Sequence, residues 1–215
     1  MKESAMSETI EINVIEDGLL PNARETKFSD ENREVRKKEV ELKILAFAAT
    51  NSRDSINKAL ISYAARLLAD EEVEIIDINQ YEMPLYSVDR EREIGIPEQA
   101  RRFYEKIGDA DALLISFAEH NGFYTAAYKN LFDWTSRLDR KVYQDKPAVL
   151  LATSPGPGGA SRVLRAAKES APYFGMEVLA DLSIPRFYEN FDMDYDLVNN
   201  SEIQEQLKLA LAKLN

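Results

Sequence analysis

"LKILAFAATNSRDSINKALISYAARLLADEEVEIIDI", Leu42 to Ile78, changes its hydrophobic pattern twice. It opens with a short apolar run, passes through a polar stretch, and then places Ile56, Leu60, Tyr63, Ala64, Leu67 and Leu68 on one helical stripe. It closes on a second apolar run, "VEIIDI". An apolar run of this length bounded by turn residues reads as a buried strand. Strand, helix and strand in close succession predict a parallel pair joined by a crossover, because parallel strands cannot be joined by a tight hairpin.

The same alternation continues to the end of the chain. "INQYEMPLYSVDREREIGI" is a long connection, and "PEQARRFYEKIGD" is a helix with Pro97 at its start. "ADALLISFA" is a buried strand, "AAYKNLFDWTSRL" a helix and "PAVLLATS" a strand. "GASRVLRAAKESAPYF" is a helix that must bend or end near Pro172. "MEVLADLSI" is a fifth strand, and "SEIQEQLKLALAKL" is a terminal helix with Ser201 as its expected N-cap. Right-handed crossovers bury both faces of such a sheet. The expectation is an α/β domain: a three-layer, doubly wound, five-stranded parallel sheet in the flavodoxin-like order 2-1-3-4-5.

Residues 1–40 do not share this pattern. "TIEINVIE" alternates with Ile10, Ile12 and Val14 on one side, and "SDENREVRKKEV" is nearly all charged. The expected organisation is an N-terminal extension over residues 1–40, a tail or a packing arm, followed by one domain over residues 41–215.

Composition narrows the function classes. The chain has 215 residues, 45% of them hydrophobic, enough for one buried core. It has no cysteine and one histidine, so thiolate and histidine-rich metal sites are excluded and no metal is expected. A formal net charge of −11 repels phosphate backbones, so no nucleic-acid partner is expected. With no stretch apolar enough to span a bilayer, no membrane partner is expected either, and the reading is a cytoplasmic protein.

In a sheet wound this way, ligands bind beyond the carboxyl ends of the strands, where the winding reverses. The loops bordering that crevice are "ATNSRDS", "AEHNGFYT" and "SPGPGGAS", the loops richest in hydroxyl, amide and glycine residues. The first enters a helix N-terminus, which favours an anion. Two readings of it stand side by side: Ser55 merely caps the helix, or Thr50, Ser52, Ser55 and Asn57 also hold a phosphate. The loop lacks the glycines and lysine of a P-loop, and "GPGGAS" has Ser161 where a dinucleotide fingerprint needs its third glycine. Glu119, His120, Asn121 and Gly122 offer groups that suit the polar edge of a flat heterocycle. Trp134 reads as core or subunit interface.

Four segments in order resemble the NADPH-dependent FMN reductase family, a flavodoxin-like group that includes quinone, azo-dye and chromate reductases. "TNSRDSIN" resembles its phosphate loop, "MPLYSVD" its "LPLYNxD" segment, "AEHNGFYTAAYKNLFDW" its "PEYNGSxPGxLKNAIDW" and "SPGPGGASRVL" its "SPGxxGGxRAL". The likeness covers roughly residues 42–182. It implies FMN bound non-covalently, with NADPH or NADH as co-substrate. By position, Thr50, Ser52, Ser55, Ile56 and Asn57 would hold the phosphate. Glu119, His120, Asn121 and Gly122 would border the isoalloxazine, and Ser154, Pro155, Gly156, Gly158 and Gly159 would line its other side. The family chemistry needs no catalytic side chain. It passes a hydride to flavin and on to a small-molecule acceptor: a quinone, an azo compound, a metal oxyanion or free flavin. Members assemble as homodimers or homotetramers, with the segment matching Pro84–Tyr86 near a partner's flavin. The alternatives kept open are a flavodoxin-like electron carrier and a non-catalytic interaction member. Arg53 has three candidate roles: phosphate neighbour, NADPH contact or bystander.

Overall fold

The computed structural model describes residues 41–214, so the expected N-terminal extension lies outside the described residues. Five parallel strands form the sheet: β1 (Lys43–Ala49), β2 (Glu72–Ile76), β3 (Ala112–Phe117), β6 (Lys146–Thr153) and β7 (Met176–Ile184). Their order is β2-β1-β3-β6-β7, the expected flavodoxin-like winding. Between β3 and β6 lies a short hairpin, β4 (Glu119–His120) with β5 (Phe123–Tyr124). A second small pair, β8 (Phe191–Asp192) and β9 (Leu197–Val198), lies beyond the sheet.

The period-2 alternation of β1 separates the two cores. Leu45, Phe47 and Ala49 face α3 (Glu98–Asp109), α4 (Ala126–Thr135) and α5 (Ser161–Ser170). Ile44, Ala46 and Ala48 face α1 (Ile56–Arg66) and α7 (Ser201–Leu211) on the other side. Two helical layers thus enclose one sheet. Burying each large apolar side chain contributes about 1.5–3 kcal/mol. Trp134 is fully buried against α4's neighbours, with its indole N–H donating to the Pro84 carbonyl at 2.7 Å. Also in that layer, Tyr128 and Tyr143 share a hydrogen bond between their hydroxyls. Burial pushes both phenols above their ordinary range and keeps them neutral.

Local details add to the expectation in one place, meet it in another and correct it in a third. The long connection contains a 3-10 turn (Ile78–Tyr81) and a short exposed helix, α2 (Val88–Ile94), capped by Ser87. As expected, α5 ends before Pro172, which falls in the first positions of a following 3-10 turn (Ala171–Phe174), where its missing N–H is tolerated. The cap of α7 is Asn200, not Ser201: its carboxamide oxygen accepts the N–H groups of Glu202 and Ile203 at 3.1 and 3.2 Å. Asparagine at that position reaches both donors, and Ser201 becomes the first helical residue.

Candidate functional site

The winding reverses between β1 and β3, because the chain leaves β1 for β2 on one side and returns past it to β3 on the other. Three loops converge at the carboxyl ends there. They enclose a cleft of about 270 Å³. The cleft unites Thr50, Ser52, Ser55, Ile56 and Asn57 from the first loop with Glu119 and His120 from the second. Ser154 and Pro155 enter from the third. Asn121, Gly122, Gly156, Gly158 and Gly159 lie outside this lining, while Asp54, Ala118, Thr153 and Tyr188 complete it.

The first loop is held from several directions. Thr125 caps α4 by accepting the Tyr128 N–H at 3.2 Å, and its own hydroxyl donates to the Ala49 carbonyl at 2.9 Å. Asn79 donates to the Asn51 carbonyl at 3.1 Å. Asp77 accepts the Asn79 N–H and pairs with Lys58 at 2.8 Å. Partial burial opposes its ionised form, but the bonds from Lys58 and Asn79 outweigh this and hold its carboxyl below the ordinary range. Within the loop, buried Thr50 accepts the Ser52 N–H at 3.2 Å. Ser55 caps α1 by accepting the Asn57 N–H at 3.2 Å, leaving its hydroxyl hydrogen for another acceptor. The backbone N–H groups of Arg53, Asp54 and Ile56 have no acceptor among the described residues. They sit at the positive end of an 11-residue helix, a setting suited to an anion.

Asn57 behaves differently from the sequence expectation. It is 2% exposed. Its Oδ1 accepts the Ser116 hydroxyl at 2.7 Å and the Thr153 N–H at 3.3 Å, and its Nδ2 donates to the Thr153 carbonyl at 3.3 Å. The carboxamide ties α1 to the ends of β3 and β6, and so shapes the floor of the cleft.

The second loop is the β4–β5 hairpin. Asn121 and Gly122 have φ of 53° and 83°, the left-handed pair that a two-residue hairpin turn requires. Turn geometry therefore accounts for their identity. Exposed His120 pairs across the hairpin with Phe123. Glu119 reaches the third loop: one carboxylate oxygen accepts the N–H groups of Arg162 and Val163, both at 3.1 Å. It supplies the cap that α5 lacks, since Ala160 at the N-cap position has no side-chain acceptor.

In the third loop the glycines divide. Gly159 has φ of 58°, and a Cβ there would lie 2.4 Å from the Ser183 hydroxyl, so the fold itself demands glycine. At Gly156 and Gly158 a Cβ would meet nothing within 4 Å, and neither has a left-handed φ. The protein's own packing does not account for them. Open space beside bare backbone fits the close approach of a flat ligand. Hydroxyls, free N–H groups and this open flank together fit a phosphorylated, planar cofactor such as FMN.

A larger cavity, about 500 Å³, lies elsewhere, between the hairpin, α4 and α5, and contains none of the expected site residues. Its lining is mostly aromatic, including Phe123, Phe132 and Tyr173. It lies away from the carboxyl ends of β1 and β3 where the three loops meet, so the smaller cleft is the candidate site. Sequence reading did not single out Thr125, Asn79, Glu119's capping role or Tyr188. Thr125 stands before "AAYKNL", a readable N-cap signal, whereas contact between Asn79 and the first loop depends on the fold.

Fold and loops together define a flavodoxin-like domain with a cleft at its topological switch point. Residues 42–189 match the NADPH-dependent FMN reductase family. A 2-hydroxy-1,4-benzoquinone reductase from a Burkholderia species is 38% identical over 117 residues, covering 54% of this chain and 62% of that protein. An NAD(P)H-dependent FMN reductase of Pseudomonas aeruginosa is 29% identical over 174 residues, covering 78% of this chain and 92% of that protein. Among solved structures, the flavoenzyme NAD(P)H:(acceptor) oxidoreductase FerB of Paracoccus denitrificans aligns with a TM-score of 0.64. It covers 80% of this chain and 94% of that one at 24% identity, a likeness of fold. The chain belongs to the NADPH-dependent FMN reductase family.

Proposed function

We propose that this protein is an FMN-dependent NAD(P)H oxidoreductase that reduces a small-molecule acceptor: a quinone, an azo compound, a metal oxyanion or free flavin. The observation that carries this reading is the convergence of free N–H groups and hydroxyls in the cleft at the β1/β3 switch point. When bound, FMN supplies the hydride chemistry between nicotinamide and acceptor.

The chain's own part is binding, orientation and electrostatics. The N–H groups of Arg53, Asp54 and Ile56 and the hydroxyls of Ser52 and Ser55 hold the phosphate. Thr50, Asn57, Thr125 and Asn79 keep that loop in shape. The hairpin from Glu119 to Gly122 would border the ring and offer backbone N–H groups to its polar edge. Ser154, Pro155, Gly156 and Gly158 form the opposite flank, with Gly159 fixing its turn. No side chain is assigned as a general base. The exposed Leu85 and Val88 on the segment anchored by Trp134 support assembly as a homodimer or homotetramer. Among the described residues no helix is long and apolar enough to cross a membrane. A cysteine-free sequence suits the cytoplasm.

Turnover tests the reading. Protein supplied with FMN and a simple benzoquinone should oxidise NADPH or NADH at a rate proportional to enzyme. Background rates with both nucleotides would overturn it. The net charge of −11 favours a second reading, a carrier docking on a cationic redox partner. Direct NAD(P)H turnover counts against that one.

A further inference from the structure

We infer that Tyr188 belongs to the cofactor site: its phenol closes the phosphate end of the cleft and donates a hydrogen bond to the FMN phosphate. This rests on the FMN reading above.

Tyr188 lies on α6 (Phe187–Asn190), just past the last strand of the sheet. The segment leading to it is fastened to the third loop. The Ser183 hydroxyl donates to the Gly159 carbonyl at 2.8 Å, and the Arg186 N–H to the Gly156 carbonyl at 2.9 Å. The Phe187 N–H donates to the Ser154 carbonyl at 3.0 Å. From the strand side, the Thr153 hydroxyl donates to the Ile184 carbonyl at 2.8 Å. The backbone around Tyr188 therefore moves with the loop that forms one wall of the cleft.

Arg186 has φ of 48° and ψ of 56°, a left-handed conformation that costs a non-glycine residue about 1–2 kcal/mol. It reverses the chain so that the next two rings part. Phe187 is buried and stacks on Phe191, with centroids 4.6 Å apart. Tyr188 is 64% exposed and lines the same cleft as Ser52, Ser55 and Ser154. Phe187 anchors the segment. The fold does not bury the Tyr188 ring, which meets Phe187 edge-on with centroids 5.5 Å apart.

The chemistry of the lining calls for such a group. It contains no lysine or arginine, and it carries the carboxylates of Asp54 and Glu119. A phosphate held there depends on neutral donors. A phenol hydroxyl on the segment that follows β7 adds one such donor.

The experiment is FMN titration of Tyr188→Phe and Tyr188→Ala, with phosphorus NMR of the bound FMN and thermal melts of the free proteins. A hydrogen bond to a charged group predicts that Tyr188→Phe raises the FMN Kd about tenfold or more. The bound phosphate resonance should move, and the melting temperature should stay at the wild-type value. Tyr188→Ala should weaken binding at least as much. An FMN Kd within about twofold of wild type in Tyr188→Phe, against a threshold of about tenfold for such a bond, overturns the assignment. So does an unmoved phosphate resonance. If the wild-type protein binds no FMN, the functional reading itself fails along with this one.

Discussion

Asn57 and Ser55 sit two residues apart in one motif, yet the structure gives them different work. Ser55 keeps a free hydroxyl hydrogen at the cleft, whereas the Asn57 carboxamide is satisfied by Ser116 and Thr153. Asn57→Ala should therefore act on stability first. Leaving the Ser116 hydroxyl and the Thr153 N–H unpaired costs about 1–3 kcal/mol. Thermal melts should register a drop of about 2–4 °C per kcal/mol. Ser55→Ala removes a cap worth about 1 kcal/mol and should also weaken FMN binding. An Asn57→Ala melt equal to wild type would show that the carboxamide is not a strut. Sequence made the polar character of this loop plain, because its hydroxyls and amides are local. It did not tell which side chains turn inward. The partners of Asn57 stand 59 and 96 residues away along the chain, and only the sheet brings them together. Arg53 enters the account through its backbone N–H alone, as its side chain forms no ion pair among the described residues.

At the scale of elements, the same composition serves two purposes. "NG" in the second loop is a hairpin turn, and its residues are where a left-handed pair is needed. That signal was present in the sequence, but the resemblance drew attention to ring contacts instead. The third loop shows the converse. Gly159 is required by its own backbone and by Ser183, whereas Gly156 and Gly158 face open space. Substitution should separate the two kinds. Gly159→Ala should lower the melting temperature, with the left-handed conformation alone costing about 1–2 kcal/mol. Gly156→Ala should leave the melt within about 0.5 kcal/mol of wild type. It should still weaken FMN about tenfold, because the new methyl occupies the space the ligand needs. Paired melts and FMN titrations check this. A Gly156→Ala protein that binds FMN like wild type would remove the third loop from the ring's flank.

For the whole molecule, the winding was legible because few topologies satisfy it. Alternating strands and helices demand crossovers, crossovers have one hand, and the reversal between β1 and β3 follows from the order. The place of the site followed from the same rule. What sequence could not supply was the fastening of the loops to one another. Glu119 capping α5 and the segment from Ser183 to Phe187 clamping the third loop depend on neighbours that only the assembled sheet defines. These cross-links make the cleft a property of the domain rather than of any one motif. The central claim is that this cleft holds FMN and that NAD(P)H reduces it. Its most direct test is the visible spectrum of the protein saturated with FMN, recorded without oxygen before and after NADPH or NADH. The account predicts a protein-bound flavin spectrum that bleaches on adding the nucleotide. A protein that retains no flavin after gel filtration, or a bound flavin that neither nucleotide bleaches, would contradict it.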